Sequence, residues 1–161
     1  MQPFSFATAA HLICEPGAVQ RLVPLCQAWG ARSVVLVTDT GVARQDFFEA
    51  VRSAFARSGV ALHVFDGVVA QAPETVIDKA AQFAREVQAN LVIGFGGGSS
   101  LDVAKLVAQL AHPDCRQTLS DFYGVDKVAG QRLPLIQIPT TAGSGSEVTP
   151  IAVVTTRDAT R

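Results

Sequence analysis

Three groups of residues in this chain could do chemistry on a ligand, and each follows a short apolar run. The first is Gly96-Gly97-Gly98-Ser99-Ser100, set between Leu91-Val92-Ile93-Gly94-Phe95 and Leu101-Asp102-Val103-Ala104-Lys105. Glycines have no Cβ to hold a ligand away, and the free N–H groups at a helix start attract anions, so this junction suits a phosphate. The second is Asp39, which ends the run Ser33-Val34-Val35-Leu36-Val37-Thr38. The third is Pro139-Thr140-Thr141-Ala142-Gly143-Ser144-Gly145-Ser146, after Leu135-Ile136-Gln137-Ile138. Its hydroxyls alternate with small residues, which suits hydrogen bonds to a ribose or pyrophosphate at close backbone approach.

Each group also has a plainer reading. Ser99-Ser100-Leu101-Asp102 matches a helix capping box, and capping and phosphate binding can coexist. Asp39, taken alone, reads first as a turn or cap residue. At a strand end it could also accept hydrogen bonds from both hydroxyls of an adenosine ribose. Its charge would then repel a 2′-phosphate and favour NAD over NADP. The third segment could be a solvated turn.

Other phosphate and nucleophile motifs fit poorly. Gly94-Phe95-Gly96-Gly97-Gly98-Ser99 has Ser where the dinucleotide fingerprint has its third Gly, and no acid ends a next strand about 20 residues on. No Gly-Lys-Ser/Thr closes the glycine turn as a Walker A loop would. Ala142 and Ser146 exclude the Gly-x-Ser-x-Gly nucleophile elbow. His11, His63 and His112 are far apart and lack metal-ligand spacing. No catalytic residue and no metal ligand is nominated.

These loop tips need a scaffold that gathers them. Apolar runs of strand length alternate with longer amphipathic segments. The pattern predicts an extended stretch over 4–13 and helices over 18–29, 46–58, 73–88 and from the glycine turn to about 111. Strands are predicted over 33–38, 61–65, 91–95 and 133–138, with a strand-like tail over 148–156. Alternating strands and helices imply an α/β fold, a Rossmann-like parallel sheet with helices on both faces. In such sheets ligands sit beyond the carboxyl ends of the strands, where Asp39, the Gly96 turn and the loop after Ile138 all fall.

Composition narrows the function classes. The chain has 161 residues, 48% of them hydrophobic, enough for one domain with a packed core. Thirteen basic against 14 acidic residues, without a basic run, give no case for a nucleic-acid partner. No apolar stretch approaches the roughly 18–20 residues that span a bilayer, and the N-terminus does not read as a signal peptide. Three scattered cysteines, Cys14, Cys26 and Cys115, read as reduced thiols of a cytoplasmic protein.

Two long motifs in order, Gly96-Gly97-Gly98-Ser99-x-x-Asp102-x-Ala104-Lys105 and Pro139-Thr140-Thr141-Ala142-Gly143-x-Gly145-Ser146-Glu147-Val148-Thr149, closely resemble the iron-containing (group III) alcohol dehydrogenases. The resemblance implies a dehydroquinate-synthase-like N-terminal nucleotide-binding domain over 1–161. In the family an all-helical domain follows, carrying an Asp and three His that hold iron or zinc, so the chain reads as the first half only. By position, the resemblance places the dinucleotide pyrophosphate on Gly97, Gly98 and Ser99, beside Gly96, with Asp102 capping that helix. Thr140, Thr141 and Ser144 would line the rest of the cleft, with Asp39 near the adenosine ribose.

Ser144 stands where Thr is common, and Ala70-Gln71-Ala72-Pro73 where the family has Pro-Asn-Pro. The implied activity is hydride transfer between a small alcohol or aldehyde and a nicotinamide, in a homo-oligomer, with this portion inactive alone. The neighbouring expectations are a maleylacetate reductase-like enzyme and a stand-alone NAD-binding module without catalysis.

Overall fold

A computed structural model describes residues 8–156. Its centre is a four-stranded, wholly parallel sheet. β1 (Ser33–Asp39), β2 (Ala61–Val68), β3 (Leu91–Gly96) and β4 (Leu135–Pro139) stand in the order β2-β1-β3-β4. Five helices accompany them: α1 (Leu22–Ala28), α2 (Thr40–Ala43), α3 (Asp46–Ala56), α4 (Glu74–Glu86) and α5 (Gly98–Leu110).

The inner strands are continuous apolar runs because both their faces are covered. Successive side chains point to opposite sides of the sheet, so β1 divides its residues between two cores. Val35 and Val37, with Val92 of β3, pack with Ala80, Ala81 and Ala84 of α4 and with Val103, Ala104 and Val107 of α5. Val34 and Leu36, with Leu91, Ile93 and Phe95, pack with Leu22 and Cys26 of α1 and with Phe48, Val51 and Phe55 of α3. The domain is therefore three layers, helix on sheet on helix, and it bears out the Rossmann-like α/β expectation.

Glycine in the middle of β3 has a packing cause. A Cβ on Gly94 would lie 2.8 Å from Ala104 Cβ and 2.1 Å from Gln137 Oε1. The missing side chain lets α5 sit directly on the sheet. Gln137 of β4 reaches over the same spot and donates from Nε2 to the Leu101 carbonyl at 3.0 Å.

Two predicted elements differ. The tail expected as a strand over 148–156 makes only one isolated bridge, Thr155 with Pro73. Its extended stretch runs over α5, where side chains rather than a neighbouring strand satisfy its backbone. Of the extended stretch expected over 4–13, residues 8–13 form no strand, and the rest lies outside the described residues.

Candidate nucleotide-binding site

The sheet order puts a switch point between β1 and β3, since β2 lies outside one and β4 outside the other. In such sheets the crevice beyond the strand ends at that point is where ligands sit. Asp39, Gly96 and Pro139 are the last residues of β1, β3 and β4, and they bring their loops to one end of the sheet. The Thr140 N–H donates to the Gly96 carbonyl at 2.9 Å, fastening the β4 loop to the glycine turn.

The turn is close-packed from three sides. Gly96 has φ +150°, and a Cβ there would lie 2.7 Å from Ser100 Oγ and 3.3 Å from Asp39 Oδ2. A Cβ on Gly97 would lie 3.0 Å from Thr141 Oγ1, and one on Gly98 3.1 Å from Ser144 Cβ and 3.3 Å from Ser146 Oγ. The hydroxyls of Thr141, Ser144 and Ser146 thus lie against the glycines. From the opposite flank, the Gln71 N–H donates to Ser99 Oγ at 3.2 Å. Gln71 holds φ +51°, a left-handed conformation that Asn adopts more readily than Gln. The Asn of the family pattern suits this backbone better.

The N-terminus of α5 differs from the expected capping box. Its N-cap is Gly97, in extended backbone, and no side chain hydrogen-bonds there. The helix begins two residues before the Ser-x-x-Asp pattern would start it, so Asp102 sits in the second turn and caps nothing. Its Oδ1 accepts from Lys105 Nζ at 3.0 Å and its Oδ2 from the Val153 N–H at 3.1 Å. A 13-residue helix therefore opens beneath the loops with its first amides free of side-chain caps.

Asp39 does two things at once. Its Oδ1 accepts from the Val42 N–H at 3.0 Å and caps α2, as the plainer reading has it. Its Oδ2 is the oxygen that faces Gly96. The β1–β2 register shifts at this residue, where Asp39 opposes both Gly67 and Val68, so that the extra residue lies in β2.

Of the residues singled out in the sequence, Asp39, Gly96, Gly97, Gly98, Ser99, Thr140, Thr141 and Ser144 share this end of the sheet. Asp102 faces the 151–153 segment instead. Sequence reasoning gave Lys105 no role, although Asp and Lys at i and i+3 on a helix were a signal that they meet. Among the described residues, no three His, Cys, Asp or Glu side chains are placed to hold a metal ion, and no helix is long and apolar enough to cross a membrane.

The fold is that of a Rossmann-like domain, with the ends of β1, β3 and β4 gathered at the β1/β3 switch point. A model of the family described as iron-containing alcohol dehydrogenase matches residues 9–161, and the chain belongs to that family. It is 40% identical over 146 residues to "Long-chain-alcohol dehydrogenase 1" of Geobacillus thermodenitrificans (strain NG80-2), covering 88% of this chain and 37% of that protein. It superposes on a 1,3-propanediol oxidoreductase crystal structure with a TM-score of 0.89 and 25% identity, over 97% of this chain and 40% of that one. A structure of sulfoacetaldehyde reductase from Bifidobacterium kashiwanohense in complex with NAD+ gives a TM-score of 0.77 at 30% identity, over 88% of this chain and 37% of the other. The chain thus spans less than half the length of these relatives.

Proposed function

We propose that this chain is the dinucleotide-binding domain of an alcohol or aldehyde oxidoreductase that uses NAD in preference to NADP. One observation carries the reading: the uncapped N-terminus of α5 opens under a glycine turn that three separate loops enclose. Free helix-start amides and their partial positive charge are a phosphate site, and the glycines keep side chains out of the way. The NAD+ complex of the sulfoacetaldehyde reductase, which shares this fold, supports the same assignment.

In this reading Gly97, Gly98 and Ser99 receive the pyrophosphate on backbone N–H groups. Thr140, Thr141 and Ser144 offer hydroxyls along the β4 side. Asp39 accepts from the ribose hydroxyls through Oδ2 while Oδ1 keeps its cap on α2. A bound nicotinamide supplies the hydride acceptor; the family name implies iron, which a helical portion beyond this domain would hold. The three free thiols suit a reducing compartment such as the cytoplasm.

Calorimetric titration of the purified chain with NAD+ and NADP+ tests the reading. NAD+ is expected to bind about tenfold more tightly, and Asp39→Asn, which keeps an acceptor for the Val42 N–H, to erase the difference. Equal or tighter NADP+ binding by the unaltered chain would overturn the preference. The same preparation is expected to oxidise no alcohol, with or without added Fe²⁺ or Zn²⁺, and metal-stimulated turnover would reveal a metal site within this chain.

A further inference from the structure

Asp102 and Lys105 form an ion pair whose side chains are only 9% and 12% exposed. A buried pair is weak evidence for stability, because desolvation offsets its attraction. What distinguishes this one is the pattern of its remaining hydrogen bonds. Lys105 Nζ donates to the Ile151 carbonyl at 2.6 Å, and Asp102 Oδ2 accepts from the Val153 N–H at 3.1 Å. Those two backbone groups flank Ala152. In a parallel sheet one residue of the adjacent strand makes the same pair of bonds, its N–H to one and its C=O to the other. Two side chains of α5 thus replace a missing strand, and the segment stays extended over a helix.

The segment held in this way leads out of the loop that covers the glycine turn. That loop has two glycines at positive φ, Gly143 at +104° and Gly145 at +66°. Within it the hydrogen bonds are short-range ones such as Val148 N–H to the Gly145 carbonyl at 3.1 Å, and one reaches it from the N-terminal stretch, Thr8 Oγ1 donating to the Val148 carbonyl at 3.2 Å. At its entrance the loop is fastened by the Thr140 N–H on Gly96. Past Val153 the chain is tied again, Thr155 N–H to the Ala72 carbonyl at 3.3 Å, next to the Gln71 that donates to Ser99.

We infer that Asp102 and Lys105 are positioning residues: a latch that holds 151–153 on α5, keeps the 140–150 loop over the glycine turn, and so preforms the nucleotide crevice. The latch is read from the geometry alone; its effect on affinity rests on the proposed NAD reading. Ordering the loop in advance spares the ligand that entropy.

Amide hydrogen exchange by mass spectrometry and NADH titration by fluorescence, both on the full chain, test it with Lys105→Met, Asp102→Asn and Lys105→Arg. Lys105→Met and Asp102→Asn are expected to speed exchange over 140–153 while leaving β1 and β3 protected, and to weaken NADH by about five- to tenfold. Lys105→Arg, which can still donate to both oxygens, is expected to recover most of both losses. Unchanged exchange at 151–153 in Lys105→Met overturns the latch, as does exchange rising equally across β1 and β3, the sign of a general structural role. Faster loop exchange with unaltered NADH affinity overturns its link to the crevice. A wild-type chain that binds no NADH overturns the nucleotide reading instead, and the exchange data then decide the latch alone.

Discussion

At the scale of single residues, burial sets chemistry as much as residue type does. Cys26, fully buried between α1 and the sheet, has its thiol pushed from 9.0 up to about 11, chiefly by desolvation. The folded chain therefore keeps this proton over an interval in which the unfolded chain releases it. By linkage the thiol leaves stability untouched below about pH 9 and lowers it as pH rises toward 11. Urea unfolding at pH 8 and pH 10.5 is expected to show that decline, with a shallower slope in Cys26→Ala. An equal slope in both would place the titration elsewhere. Exposed Cys14 is the thiol expected to stay open to reagents.

At the scale of elements, the sheet was legible because its inner strands are buried on both faces. Their cores, residues 34–37 and 91–95, read as unbroken apolar runs. The tail was misread for a related reason: Ile151-Ala152-Val153-Val154 looks like a strand, and only tertiary structure shows that Asp102 and Lys105 take the partner's place. The helix cap was misplaced because Gly97 is a weaker sequence signal than Ser99. Of the candidate site, the glycine turn and the hydroxyl-rich loop were visible, whereas the Gln71–Ser99 contact depends on proximity that no local pattern encodes. Gly94 is the sharpest case, a glycine inside a strand whose meaning lies in α5 and β4. Gly94→Ala is expected to destabilise the fold by about 2–3 kcal/mol through overpacking, read as a fall in the urea midpoint. A midpoint within experimental scatter of the wild type would mean that α5 yields without cost.

At the scale of the whole molecule, several large apolar side chains face outward. Ile151 is 70% exposed and Val153 74%, on the outer side of the segment whose Ala152 and Val154 pack inward. Among the described residues β2 and β4 are the two edges of the sheet, each with a strand on one side only. Exposed apolar groups and open edges favour association, so the purified chain is expected to self-associate with rising concentration. Light scattering giving a constant monomer mass over a wide range of concentration would contradict this.

The strand order also carries a consequence in time. β1 can pair with β2, next in sequence, as Ser33 with Ala61, before the rest is made; β3 pairs on the other side of β1, and β4 on the other side of β3. Every new strand thus joins an existing edge, and none has to be inserted between two already paired. Chains leave the ribosome N-terminus first, at about 5–20 residues per second. Asp39 and the glycine turn can therefore be in place while the hydroxyl-rich loop is still being synthesised, and that loop closes over a crevice whose floor is already built.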